Sequence, residues 1–345
     1  MNILAGDIGG TKTLLAVFDY KQNIEKLYQK KYISNAWSSL EEIIIDFMKT
    51  IPSNISHPKQ ACIAVAGPVN NGKSKVTNLP WFIEEENIRC SAKLNKVILI
   101  NDFSVLIHGI PHLKKEQYVE IQASNNNSSR EDIFTIVGAG TGLGVARGIT
   151  TKDGLIAIPS EAGHCEFSPR TDAEWELSNW LKKDLNISRL SVERVVSGTG
   201  LGHLAKWRLS KKDAFKHPLR EIAFNNSKKN AIHSDFPALV SKYALNGDFI
   251  MKEVISIWLE AYGSAVGDIA LHDLCNKGLW IGGGTASKQL KGIRSKKFLN
   301  AMSNKGRFKP FLENLPIRAI IDPEVGLFSS ACKAFDLYRQ DGKLK

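Results

Sequence analysis

Apolar positions along the chain fall into two rhythms. Short unbroken runs occur at Ala61 to Ala66 and Val97 to Ile100, after a strand-like Ile3 to Gly6 and a Thr11 to Phe18 rich in Thr, Leu and Val. Such continuity marks buried, partly parallel strands rather than half-exposed ones. Further strands are expected at Ile133 to Val137 and Val145 to Ile149. The helical rhythm appears near Ser39 to Thr50, where Ser38-x-x-Glu41 and Ser39-x-x-Glu42 have capping-box spacing ahead of Ile43, Ile44 and Phe47. It returns at Phe103–Ile110, Ala173–Leu185 and Phe249–Cys275. Within the last of these, Gly263-x-x-x-Gly267 predicts close helix packing. Two polar stretches, Ser124 to Glu131 and about Ser210 to Asp235, read as a surface loop and an insertion.

One pattern occurs twice. Ile3 to Phe18 (ILAGDIGGTKTLLAVF) and Phe134 to Ile149 (FTIVGAGTGLGVARGI) both run strand, glycine turn, strand. Two copies of one unit predict two related lobes. Glycines at such turns let backbone amides approach phosphate oxygens closely. In the first turn Gly9 and Gly10 supply that freedom, Thr11 a hydroxyl, Lys12 a cation and Asp7 an oxygen ligand suited to Mg²⁺. The second turn offers Gly140, Thr141 and Gly142, and a third cluster follows at Gly282-Gly283-Gly284. A lone Gly-Gly-Thr would be read as a structural hairpin. Three clusters shift the balance to nucleotide binding.

Gly67 to Ser74 (GPVNNGKS) satisfies the P-loop pattern. That loop works only where a helix begins at its Lys-Ser, because helix amides hold the phosphates. Here Val76, Thr77 and Pro80 follow, and proline does not sit in a helix interior. The segment is therefore expected to be a turn between two strands.

Lys and Arg exceed Asp and Glu by 46 to 35, a net charge of +11, yet the cations are scattered. No basic run or RNA-binding signature appears, so nucleic acid is not an expected partner. Five dispersed cysteines without CxxC spacing suggest neither a disulfide framework nor a zinc site. The chain starts on strand-like residues without a basic-then-apolar leader. The apolar helix at 249–275 is interrupted by Lys252, Glu253, Glu260 and Asp268, so no membrane span is expected. Together these point to a cytosolic protein.

Candidate chemistry clusters in three places. Asn101 and Asp102 close the strand Val97–Ile100, where a carboxylate opens into a cleft in α/β folds and can act as a general base. A helix N-cap explains the same dipeptide, and the segment alone leaves both readings open. Glu161 and His164 are three residues apart and can face one ligand. Glu193 precedes Ser197-Gly198-Thr199-Gly200, and from the residues alone pairing with Arg194 on a helix surface is the readier account of it. Carboxylates, amides and imidazoles of this kind hold the hydroxyls of uncharged polyols.

The ordered set DIGGTKT, LIND, GAGTGLG, EAGH, SVERVVSGTGL and IGGG resembles the bacterial glucokinase family of the hexokinase–actin superfamily. The resemblance spans nearly the whole chain. It implies an α/β, two-lobed, actin-like (ribonuclease-H-like) fold with an active-site cleft between lobes. A small lobe would comprise 1–112 plus a C-terminal helix at about 325–345, and a large lobe 113–324. By resemblance Asp102 is the catalytic base for the sugar 6-hydroxyl, and Asn101, Glu161, His164 and Glu193 hold glucose. The turns with Asp7, Gly9, Gly10, Thr11, Lys12, Gly140, Thr141 and Gly142 would hold phosphates, with Gly283 and Gly284 beside the adenosine and Asp7 on the metal. ATP and Mg²⁺ are the implied cofactors and D-glucose the partner, with a homodimer as the assembly to test. Ser160 and Ala162 stand where relatives often have glycine. A kinase for mannose or N-acetylglucosamine is the alternative enzyme, and a non-catalytic sugar sensor the alternative from another class.

Overall fold

The structure, a computed structural model, describes residues 2–20, 23–76, 79–124, 133–152, 154–225, 232 and 235–340. Most of the polar loop expected at 124–131 lies outside the described residues, as do 226–231 and 233–234 of the expected insertion and 341–345 of the C-terminal segment. The chain forms two compact units. One comprises Met1–Gln117, Ala146–Pro159 and Asp322–Lys345, the other Tyr118–Val145 and Ser160–Ile321.

In the first unit, strands β1 (Asn2–Ile8), β2 (Lys12–Tyr20), β3 (Ile24–Ile33) and β4 (Gln60–Val65) are followed by a small ribbon and a further sheet strand. The ribbon contains β5 (Val69–Asn70), β6 (Lys73–Lys75) and β7 (Phe82–Glu84), and the sheet closes with β8 (Lys96–Asn101). The five-stranded order is β3-β2-β1-β4-β8, with β1 antiparallel to β2 and parallel to β4. Strand alternation decides which helix each residue meets. Leu4, Ile8, Leu15 and Ile63 pack with Ile43, Ile44 and Phe47 of the helix Leu40–Thr50. Ile3, Ala5, Leu14 and Ala16 face Leu327, Ala331 and Phe335 of the C-terminal helix Val325–Gln340. Asp7 shares the parity of Ile3 and Ala5, so it sits on the C-terminal helix's side of β1.

The expected cap forms, with Ser39 Oγ accepting from Glu42 N–H. The P-loop lookalike is a hairpin, as its proline implied. β5 and β6 pair antiparallel around Asn71 (φ 49°) and Gly72 (φ 71°), the positive-φ pair that tight hairpins favour. The helix expected at 103–110 is shorter, Leu106–Gly109. Residues 102–105 form turns instead, closed by three-residue bonds from Leu106 N–H to Phe103 O and from Ile107 N–H to Ser104 O.

The second unit holds β9 (Tyr118–Gln122), β10 (Ile133–Ala139), the start of β11 (Leu143–Thr151), β13 (Gly278–Ile281) and β14 (Ile317–Ile320), whereas the rest of β11 and nearly all of β12 (Gly154–Ser160) fall in the first. The sheet runs β10-β13-β14-β9, and β11 begins on the other side of β10. The β10, β13 and β14 strands are parallel and β9 is antiparallel. Beneath them lies the helix Phe249–Asp273, with Trp258 and Tyr262 fully buried. A Cβ at Gly263 or Gly267 would collide with Phe298 O or Met302 O of the helix Lys296–Ser303, which is the close packing the spacing predicted. By length and composition alone the helix Phe249–Asp273 is apolar enough to cross a membrane, since an 18-residue stretch of it carries no more than two charged residues. Its burial of Met251, Val254, Trp258 and Val266 makes it the core helix of this unit.

Candidate active site

In the first unit β1 carries Asp7 one residue before its end, and Asp102 directly follows β8. Asp102 N–H donates to Val65 O at 2.9 Å, which holds residue 102 just beyond the sheet. Asn101 Oδ1 accepts from Phe103 N–H and Ser104 N–H, both at 3.0 Å, and from the Ser104 hydroxyl at 3.3 Å. Its Nδ2 donates to Gly67 O at 3.1 Å and Asp102 Oδ1 at 3.0 Å. The capping role open to either residue therefore falls to Asn101, which leaves the Asp102 carboxylate for other work. Every bonding direction of the Asn101 amide is engaged, so a sugar hydroxyl would have to displace one of these bonds to reach it.

Burial is the first cause of the rise in Asp102's pKa to about 6, and the charge of Asp7 the second. Hydrogen bonds from Phe103, its own amide and Asn101 pull the other way. Burial likewise raises the pKa of half-buried Asp7, with Lys12 opposing. Two carboxylates that feel one another, one held near neutrality, have the electrostatics of a general-base site.

The turn after Asp7 is braced from below. Gly9 N–H donates to Lys12 O at 2.9 Å, and the Ser34 hydroxyl donates to Gly9 O at 2.9 Å. Ser34 N–H donates to Thr11 O, and Thr13 Oγ1 lies 3.0 Å from Ser34 Oγ. Gly10 is half-buried, and Thr11 and Lys12 stand exposed at the rim.

The second unit builds its turn differently. Gly140 N–H donates to Gly142 O at 2.8 Å, and Gly198 N–H donates to Gly140 O at 2.7 Å. Thr199 Oγ1 donates to Thr141 O at 3.0 Å, and Thr285 Oγ1 to Ala139 O. Glu193 does not serve as a partner for Arg194. Its Oε2 accepts from Leu143 N–H at 3.0 Å, across a gap that any side chain at Gly142 would fill. Ser197 caps the helix Gly198–Leu209, whose first residues brace the turn. Gly283 (φ 79°) lets the chain turn back beside Ala139 before the short helix that Gly284 opens.

Glu161 and His164 flank a single helical turn and stand 3.6 Å apart, both exposed. Gly163 packs against Leu143 O, which ties this loop to the start of β11. A cleft of about 1180 Å³ opens from Gly140 and Thr141. Thr199, Ser241, Lys242, Thr285 and Gln289 are among its walls. Sequence reasoning missed these five. The Ser-Gly-Thr-Gly string at 197–200 was the available signal for Thr199, since an N-cap serine places the following residues at an amide-rich helix start. Ser241 lies on an ordinary-looking helix and Gln289 at the turn between two short ones, and neither carries such a signal.

The glucokinase family model matches residues 4–336. The chain belongs to the glucokinase family. It is 37% identical over 339 residues to a glucokinase of Trichormus variabilis, covering 95% of this chain and 97% of that one. A glucokinase structure from an Antarctic psychrotroph superimposes with a TM-score of 0.81 at 26% identity, covering 97% and 99% of the two chains. A glucokinase of a second sugar-kinase family (ROK), from Streptomyces griseus and solved with glucose and AMPPNP, gives 0.63 at 20% identity with the same coverage, a likeness of fold alone. The fold is thus the two-lobed, actin-like α/β fold of glucokinases.

Proposed function

We propose that Asp102 takes the proton from a glucose hydroxyl as that oxygen attacks the γ-phosphorus of ATP. Family membership gives the reaction: the chain is an ATP-dependent hexose kinase that phosphorylates glucose. In the step a phosphorus–oxygen bond to the sugar forms, the bond to the ADP oxygen breaks, and the proton goes to Asp102. By the family resemblance the acceptor is the sugar 6-hydroxyl. The observation carrying the assignment is the held Asp102 carboxylate, oriented by Asn101 and raised to about 6. A base poised there is mostly ionised at neutral pH yet still draws a proton in the transition state.

Phosphoryl transfer otherwise needs positioning and charge neutralisation. Gly9 closes the first turn through its bond to Lys12 O, and the amides of Gly10 and Thr11, the Lys12 cation and the turn at Gly140, Thr141 and Gly142 are suited to the phosphates, with Gly283 and Gly284 toward the adenosine. Among the described residues no group of three or more metal-binding side chains is present. That fits Mg²⁺, which is held by one or two carboxylates plus phosphate oxygens and water. Asp7 would hold it, and the ion would supply charge neutralisation on the phosphates. Glu161 and His164, adjacent and exposed, suit a pair of sugar hydroxyls. Glu193 would contribute the carboxylate oxygen that Leu143 does not use.

The test is coupled detection of ADP release with Mg-ATP across glucose, mannose, fructose and N-acetylglucosamine. Fastest turnover with glucose is expected. Turnover confined to another hexose would move the substrate while keeping the chemistry. Saturable sugar binding without any turnover would make the chain a sensor.

A further inference from the structure

The C-terminal helix approaches both carboxylate-bearing segments of the first unit. Its Ser330 hydroxyl lies 3.0 Å from Gly6 O and 3.0 Å from Gly326 O, which pins the helix to β1 one residue before Asp7. Further along, Asp336 Oδ2 lies 3.2 Å from His108 Nδ1, on the short helix that follows Asp102. Ser329 packs so closely on Gly109 that a side chain there would collide with it. Asp7 meets the first turn of the C-terminal helix at Gly326. A Cβ at 326 would lie 2.9 Å from Asp7 Oδ2, 3.2 Å from its Cγ and 3.6 Å from Oδ1.

We propose that Gly326 is a positioning residue for the reaction, its missing side chain being the space in which the Asp7 carboxylate is seated. The inference rests on the reading of Asp7 as a phosphate- and metal-side group. The need for glycine here is spatial: Gly326 is not among the described glycines with positive φ. Within a helix, alanine is more favourable than glycine. Alanine at 326 would thus improve the helix while driving a methyl group into Asp7. Asp7 belongs to a strand paired on both sides, with Leu14 and Ala64 as neighbours, so its backbone has little room to retreat. The carboxylate must rotate away or the helix must lift. Either moves a group that has to be placed within a fraction of an ångström, an error that costs about 10- to 100-fold in rate.

The experiment is a double-mutant cycle of wild type, Gly326→Ala, Asp7→Ala and the double variant. It reads thermal midpoint, kcat, and the KM for glucose. Gly326→Ala is expected to lower kcat by about 10- to 100-fold and to lower the midpoint, with glucose KM within about twofold of wild type. Placed on Asp7→Ala, the same change should raise the midpoint and leave turnover where Asp7→Ala set it, because the colliding carboxylate is gone. Equal losses in both backgrounds would overturn the proposal, as would a Gly326→Ala enzyme with wild-type kcat and midpoint. Wild-type turnover in Asp7→Ala would also overturn it, by removing Asp7 from the reaction. That failure is distinguishable, since the midpoints would still be non-additive.

Discussion

The two glycine turns share a sequence pattern but are built on different principles. At Asp7–Thr13 the carboxylate is part of the strand itself, and the brace comes from one serine, Ser34, on the chain that follows β3. At Gly138–Gly144 the turn contains no carboxylate. Glu193 is brought in from fifty residues away, and the start of the helix Gly198–Leu209 supplies the brace. The first turn therefore presents charge of its own, coupled to Asp102. The second presents backbone, and its carboxylate is partly occupied in holding Leu143. A repeated motif can thus supply the same loop geometry while the chemistry differs according to what packs against it.

That contrast ranks the consequences of substitution. Asp102→Asn should lower kcat by about 10²- to 10⁴-fold while equilibrium glucose binding stays within a few-fold, measured by turnover beside titration calorimetry. The same variant should be more stable than wild type at neutral pH. Burial and Asp7 hold Asp102's pKa at about 6, above the ordinary carboxylate value, so the folded state favours the protonated form. The associated stability is present at low pH and is lost as pH rises through about 6. Asparagine, neutral throughout, avoids that loss, a gain of up to about 3 kcal/mol at pH 7 that vanishes near pH 4. Thermal or urea unfolding at the two pH values checks it, and lower stability at pH 7 would contradict the electrostatic account.

Glu193→Ala should act through the second turn and be milder. Leaving Leu143 N–H without its acceptor costs about 1–3 kcal/mol of local stability, and loosening the turn lowers kcat/KM by about 10- to 100-fold. A loss as deep as that of Asp102→Asn would break the comparison, because Glu193 would then be chemistry rather than a brace. Lys73→Ala should change kcat and KM by no more than about twofold. Lys73 is exposed on a hairpin and paired with Glu84 at 3.0 Å, an ion pair worth under about 1 kcal/mol.

Much of this was readable in advance wherever the signal was local. The hairpin at Gly67–Ser74 followed from Asn-Gly and a nearby proline, and the close helix pair from Gly263 and Gly267. Each depends on a few adjacent residues obeying steric rules. The tertiary partners were not readable. Nothing in SVERVV says that Glu193 will meet the amide of Leu143 rather than Arg194, and nothing near Asp7 names Gly326. The LIND segment was ambiguous for the same reason: one of its two polar residues had to cap the next turn. Only the structure shows Asn101 taking that role, with its side-chain oxygen. The apolar helix Phe249–Asp273 is the converse case, since composition alone does not separate a core helix from a membrane span.

The central claim is that Asp102 is a base held near neutrality by burial and by Asp7. The pH dependence of kcat/KM for glucose tests it most directly, since that ratio reports the pKa of the free enzyme's essential base. The account predicts that kcat/KM falls on the acid side with a midpoint of about 6, as protonation removes the acceptor. A profile that stays flat down to the ordinary carboxylate range, with no loss around pH 6, would contradict it.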